Sequence, residues 1–413
     1  WPSRPRPPTP DRTTPVPRPL RIAFLKPEFG VAGGLEAVVG QLEAIARADG
    51  HDVTRGSVDM RPPRAAVAGL DIPRNVWDAA PEYFPYLAGR AEFDRLDVRG
   101  FDAVVSTQSP SFAVRHPRHL SVFYHHHRVY YDLEEVYLRA GFAADETVHR
   151  EAGKLIRELD QPALEGVGWF LAGSATVAER LVRFNGLRNS SVFHAGLIVG
   201  DERPAATGPG TGAVLSVGRH EFPKRTELVV AAAHLLPSVD VALVGTGGRE
   251  AWAKALDHRL ATTDADPAAL TDAETWCNTG QGAPAVPEGH RSNVEFAGRV
   301  GDDDLARRFA EAPCVVAPAY QEDYGLTAIE AMAQGKPVVV CRDGGGLTEL
   351  VEHERTGLVV EPTPAAIAAA IERLTSDRDL AAELGANGVE RAAELSWEAA
   401  ADEWRAGLAR VLA

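Results

Sequence analysis

The chain has 413 residues, 45% of them hydrophobic and 24% charged, with a formal net charge of −15 and three cysteines. That length predicts about two domains with a core in each, and the acidic balance argues against nucleic acid, whose partners carry a basic footprint. No apolar run approaches the roughly 18 residues of a membrane span, and Cys277, Cys314 and Cys341 form neither a disulfide framework nor a CxxC metal pair, so a reducing, cytoplasmic setting is expected.

Residues 1–19 hold eight prolines and four arginines without periodicity and read as a disordered tail. They lack the apolar stretch of a signal peptide, and a Trp at position 1 suggests a trimmed or processed end. From Leu20 the pattern changes. Residues 20–25 are a short apolar run suited to a buried strand, followed by a loop with Gly30, Gly33 and Gly34. Val38, Leu42, Ile45 and Ala46 then keep helical spacing, Asp49-Gly50-His51 stops the helix, and 52–54 opens the next strand. Further strands are predicted at 101–106, 120–124 and 169–172, and alternation with helices predicts a parallel sheet covered on both faces.

Composition breaks at 200–212, a Gly- and Pro-containing stretch read as a linker. Alternation restarts with strands at 213–217, 239–244, 294–296, 314–317 and 337–341 and a helix at 227–236. The polar stretch 257–292 is too long for an ordinary connection and reads as a surface insertion with one short helix. An amphipathic helix with Trp397 and Trp404 closes the chain. The predicted class is α/β with two doubly wound, Rossmann-like domains, one over 20–205 and one over 206–395. The helix at 396–413 is expected to pack back toward the first domain.

Two such lobes form a cleft at the carboxyl ends of their strands, where ligands of open α/β sheets bind. Four segments point into it. Gly218-Arg219-His220 leads to Lys224-Arg225, three cations other than histidine just after a predicted strand, with Arg able to fork onto phosphate oxygens. Gln321-Glu322-Asp323-Tyr324-Gly325 precedes a helix expected to open near Gly325 and to stop at Gly335. The free amides of Leu326 and Thr327 suit a phosphate, and Glu330 lies roughly 7 Å further along the axis. Gly344-Gly345-Gly346 opens another helix, and the turn from Gly30 to Gly34 marks the first lobe.

Together these residues resemble the GT-B retaining nucleotide-sugar transferases of glycosyltransferase family 4. Gly218-Arg219 with Lys224 is similar to that family's diphosphate clamp, and Val244-Gly245-Thr246-Gly247 to its VGxG turn. Phe296-Ala297-Gly298-Arg299-Val300 is similar to its nucleobase-side segment, and Glu322 through Glu330 to its E-x7-E motif. Gly345-Gly346 with Glu349 and Thr356 through Val360 continue the likeness, which in the first lobe rests on Gly33-Gly34, Tyr124-His125 and Ser174. Arg225 stands where the family often has Gly, and His194-Ala195-Gly196 replaces Pro-Asn-Gly.

The resemblance implies a UDP- or GDP-sugar donor, no metal or other cofactor, and a glycan, lipid-linked or natural-product acceptor. It implies that Arg219 and Lys224 neutralise the departing diphosphate, that Glu330 holds the ribose, and that Glu322 faces the sugar. Gly218, Arg299, Val300, Gly325, Leu326 and Thr327 would complete the donor site, and Gly33 and Gly34 would form an acceptor or phosphate loop. Of His125, His126 and His127, the first best matches a histidine near the transferred sugar. Three successive residues on an extended chain alternate sides and do not converge on one ion. Asp264-Ala265-Asp266 and Asp302-Asp303-Asp304 resemble a DxD metal motif only superficially. A sugar phosphorylase or epimerase and a non-catalytic partner are the competing readings; a nicotinamide dehydrogenase would need a GxGxxG after the first strand.

Overall fold

The computed structural model describes residues 18–30, 33–62, 64–197, 208, 210–276 and 283–413. The expected tail up to residue 17, most of the expected linker and Cys277 lie outside these residues. Twelve strands form two six-stranded sheets, every pairing within them parallel.

The first lobe holds β1 (Arg21–Glu28), β2 (Asp52–Asp59), a small antiparallel hairpin of β3 (Ala66–Val67) and β4 (Leu70–Asp71), then β5 (Ala103–Ser106), β6 (His119–Phe123), β7 (Trp169–Ala172) and β8 (Ser190–Val192). Its sheet order is β2-β1-β5-β6-β7-β8. The second lobe holds β9 (Val214–Val217), β10 (Val241–Val244), β11 (Val294–Gly298), β12 (Val315–Ala317), β13 (Val338–Cys341) and β14 (Gly357–Val360), in the order β11-β10-β9-β12-β13-β14. Sheet order therefore reverses direction between β1 and β5, and between β9 and β12. These are switch points, where loops leave on opposite faces and open a crevice.

Central strands are apolar along their length because helices cover both faces: Ile22, Ala23, Phe24 and Leu25 are all buried, as are Val338 through Cys341. Cys314 and Cys341 are core residues, and burial pushes both thiols up to about 12. Edge strands were harder to read. β2 (Asp-Val-Thr-Arg-Gly-Ser-Val-Asp) is polar, yet it pairs with β1 from Arg21↔Asp52 to Glu28↔Asp59. β8 is short and polar and pairs only with β7.

The expected insertion at 257–292 needs correction. Asp257 lies inside the helix Glu250–Thr262 and is buried. Its carboxylate holds His234 and His290 at 2.8 Å each, and it can sit inside because those rings satisfy it. The irregular stretch begins only after Thr262, and its short helix Asp272–Trp276 ends on a buried tryptophan. Asp302, Asp303 and Asp304 start the helix Asp302–Glu311, where acids favour the dipole, and Asp304 pairs with Arg307 and Arg308.

The last helix, Trp397–Leu412, lies on the first lobe. Trp404 is fully buried and stacks on Phe24 at 5.4 Å. Arg405 reaches Asp49 at 2.9 Å, and the Arg410 guanidinium sits 4.1 Å over the Trp169 ring. No helix among the described residues is long and apolar enough to cross a membrane.

Candidate active site in the cleft

Both switch points open into one cavity of about 380 Å³ between the lobes. From the first lobe it takes Gly33, Gly34, Leu35 and Val38 after β1, Gln108 after β5, and Tyr124 and His125 after β6. From the second it takes Gly218, Arg219 and His220 after β9, then Lys224, then Ala317 through Ala319 after β12. Glu322 through Thr327, Glu330 and Leu347 complete it. Eleven of the thirteen residues expected to form the site thus line one space: His125, Gly33, Gly34, Gly218, Arg219, Lys224, Glu322, Gly325, Leu326, Thr327 and Glu330. Arg299 and Val300 do not. They follow the edge strand β11, and Val300 packs against the core.

The turn after β9 is shaped by the turn after β10. A Cβ on Gly245, whose φ is 128°, would lie 1.9 Å from the Gly218 carbonyl. One on Gly247 would lie 2.3 Å from the His220 carbonyl. Only glycine lets the two turns lean together, and the His220 amide then donates to the Thr246 carbonyl at 3.0 Å. A single 3₁₀ turn, Phe222–Lys224, brings the Lys224 ammonium into direct contact with the Glu322 carboxylate. Burial works to raise the Glu322 pKa. It is outweighed by the charge and hydrogen bond of Lys224 and by the charge of Arg128, so the carboxyl is held below its ordinary range and is ionised. Arg219 has no ion-pair partner among the described residues.

The helix Leu326–Ala333 starts at Gly325, whose φ is 114°. Its amino end, with the positive end of the helix dipole, faces the cavity beside Arg219 and Lys224. The first lobe closes on this point. A Cβ on Gly34 would lie 2.3 Å from the Leu326 side chain, so the glycine loop admits the helix start because it has no side chain there.

The three adjacent histidines diverge. His125 lines the cavity, and its Nδ1 lies 2.7 Å from the His126 carbonyl. A hydrogen bond there places the proton on Nδ1 and leaves Nε2 as an acceptor in the neutral ring. His126 is fully buried, stacks on Tyr131 at 4.2 Å and meets Asn185 at 2.7 Å. Burial pushes its pKa down to about 4. His127 stacks on Tyr86 at 4.6 Å and reaches the Glu82 carbonyl at 3.2 Å.

Sequence reasoning missed the charged junction beside the cavity. Arg128 pairs with Asp132 at 2.7 Å and with Asp323 of the second lobe at 3.3 Å. Arg180 pairs with Asp323 and, at 3.3 Å, with Asp132. Both guanidiniums donate to the Gln321 carbonyl, at 2.7 and 2.6 Å. Arg128 and Asp132 are four apart, a visible pair; nothing linear links either to Asp323. A second junction is made by Glu349, which entered the sequence reading in the likeness to that family. Glu349 accepts from the Ala175 and Thr176 amides at 2.7 and 2.8 Å and from the Thr176 hydroxyl at 2.7 Å. It therefore caps the helix Ala175–Asn185 from the opposite lobe, beside its own N-cap Ser174.

Comparison with known proteins places this geometry. Residues 287–391 match the model of the Glycosyl transferases group 1 family. An uncharacterized glycosyltransferase of Methanocaldococcus jannaschii is 43% identical over 90 residues, 22% of this chain and 23% of that protein. A D-inositol 3-phosphate glycosyltransferase of Corynebacterium kroppenstedtii is 36% identical over 109 residues, 26% of this chain and 24% of that protein. The chain thus spans about a quarter of the length of these curated relatives. Solved structures match over far more. A sucrose-phosphate synthase from Thermosynechococcus elongatus aligns over 92% of this chain and 96% of its own, with a TM-score of 0.62 and 22% identity. Anabaena HepE, solved in complex with UDP and glucose, aligns over 94% and 99%, with a TM-score of 0.64 and 16% identity. The two facing parallel sheets and this likeness give the chain the GT-B fold, with a group 1 glycosyl transferase match inside its second lobe.

Proposed function

We propose that this chain is a retaining glycosyltransferase that moves a sugar from a UDP- or GDP-sugar to an acceptor hydroxyl without a divalent ion. One observation carries the reading: Arg219, Lys224, the open amino end of Leu326–Ala333, Glu322 and Glu330 all line one cavity at a switch point. The group 1 match, and a structural neighbour solved with UDP and glucose, support it.

In this reading the diphosphate lies between Arg219, Lys224 and the Leu326 and Thr327 amides. These charges act most strongly as the sugar–phosphate bond breaks and negative charge gathers on the leaving oxygen. Lys224 then divides its charge between Glu322 and the phosphate, which ties the carboxylate to the donor. Glu330 accepts from the ribose diol. Glu322 faces the sugar ring, where positive charge grows at the anomeric carbon. The acceptor hydroxyl, on a glycan, lipid-linked or natural-product molecule, enters along the first lobe past Gly33, Gly34 and His125. It attacks from the face the phosphate leaves, and the departing phosphate takes its proton. Contact between the lobes excludes water and so limits donor hydrolysis.

A panel of UDP- and GDP-sugars, scored for thermal stabilisation and then for nucleoside diphosphate release with added acceptors, tests the reading. At least one donor is expected to stabilise the protein, and its product to keep the donor's anomeric configuration by NMR. An inverted product, or no stabilisation by any member, contradicts it.

A further inference from the structure

We propose that Arg225 is a positioning residue that locks the loops around the cavity into one frame, an inference that rests on the nucleotide-sugar reading above. Its backbone lies in the left-handed region, with φ 51°. Glycine is at ease there and any larger residue is strained, so this side chain is held against a local cost.

The guanidinium is only 2% exposed and does not line the cavity. It forks onto Asp343 at 2.9 and 2.6 Å. It also donates to the Pro318 carbonyl at 2.8 Å and to the Ala319 carbonyl at 3.4 Å. The rings of Trp276 and Tyr320 lie 5.6 and 5.5 Å from it. These partners come from three segments around the site. Lys224 is the preceding residue. Pro318 and Ala319 lead from β12 to Glu322. Asp343 opens the glycine loop after β13, which meets Glu322 through two backbone bonds: the Glu322 amide to Gly344 at 2.9 Å, and the Gly346 amide to Glu322 at 2.8 Å. Trp276 is the buried end of the insertion's short helix and packs on Phe222 of the lysine's own turn at 5.5 Å.

Arg225 thus fixes where Lys224 and Glu322 stand relative to one another and ties the insertion to the same frame. Lysine would not replace it, because a point charge has no planar fork with which to hold a carboxylate and two carbonyls at once.

The test uses Arg225→Gly, which suits the left-handed backbone, and Asp343→Asn, which breaks the fork from its other side. Each is expected to lower kcat by roughly tenfold to a hundredfold, the scale of an ångström of misplacement in an active site. Donor KM is expected to move by less than about threefold. The double variant is expected to be no slower than the slower single, because both changes break one network. Arg225→Lys is expected to stay slow. Unchanged kcat in both singles, assayed well below their melting temperatures, or effects that multiply in the double, overturn the proposal. Calorimetric titration of the unaltered chain with UDP and GDP separates the two ideas. Binding of neither nucleotide overturns the nucleotide-sugar reading; binding with unaltered turnover in the variants overturns Arg225 alone.

Discussion

The two lobes share an architecture and divide the work unequally. The second lobe brings every charged cavity residue other than histidine: Arg219, Lys224, Glu322, Asp323 and Glu330. The first brings glycines, apolar side chains, an amide, a phenol and a single histidine. Its own charges, Arg128, Asp132 and Arg180, stand at the junction and hold the second lobe instead of lining the cavity. In the proposed reading one lobe binds the anionic donor and the other offers shape and docks. In an acidic protein the positive potential is local, gathered where the loops of one sheet converge.

The largest effects are expected in the second-lobe clamp. Arg219→Ala and Lys224→Ala should each lower turnover roughly a hundredfold to a thousandfold, as removing one preorganised donor does. They should differ in stability. Lys224→Ala leaves the mostly buried Glu322 with the Arg128 charge alone, whereas Arg219 has no ion-pair partner to strand among the described residues. Steady-state kinetics with denaturant melts check both halves. Near-normal turnover in either variant would break the division of labour between the lobes.

Next come the two acids of the same wall. Glu322→Gln should lower kcat, by about tenfold or more, because its charge meets a positive centre that grows only in the transition state. Glu330→Gln should chiefly raise donor KM, because a ribose contact is made equally in ground and transition states. Matching kinetic profiles that follow lost stability would reduce both to scaffold.

For the first lobe the expected damage is to stability. Arg180→Ala removes a buried cation and leaves Asp132 and Asp323 to share Arg128. The cost expected for breaking a buried network is about 3 kcal/mol of unfolding free energy. Urea melts measure it, and a loss comparable to that of an exposed pair such as Arg99–Asp97 would mean that the junction does not hold the lobes.

This division also explains what the sequence made legible. The second-lobe wall of the cavity was readable because its residues lie close together in the chain: Gly218 to Lys224 supplies a glycine turn and cations, and Glu322 to Glu330 a helix start between two acids. Strand alternation was readable because the central parallel strands, covered on both faces, are apolar throughout. The junction was not, since Arg128, Arg180 and Asp323 meet only through the fold. The edge strand β8 hid, and only the first three residues of β2 were read, because polar sequence and strand pairing are compatible at an edge. Asp257 was misplaced because one buried acid satisfied by two imidazoles is indistinguishable, in sequence, from one in water.

A pH slope is also expected in the first lobe. His119 and His126 are buried, and burial pushes their pKa values from 6.5 down to about 3 and about 4. The unfolded chain takes up these protons from about pH 6.5 downward while the folded protein does not. Their contribution is therefore whole above pH 6.5 and is lost as pH falls toward 4, with a slope of at most about 1.4 kcal/mol per pH unit for each ring. Unfolding free energies between pH 7 and 4 should fall accordingly. His126→Gln should flatten that fall while lowering stability at pH 7 through the lost stacking on Tyr131. An unchanged slope would mean that the ring is protonated in place.

In the proposed reading the second-lobe clamp alone binds a nucleoside diphosphate. Its most direct test is calorimetric titration of UDP and of GDP into the full chain, with and without EDTA, beside Arg219→Ala and Lys224→Ala. At least one nucleotide is expected to bind with the same Kd in EDTA to within about twofold, and about tenfold or more weaker in each variant. A tenfold loss of affinity in EDTA, or undiminished binding in both variants, would contradict it.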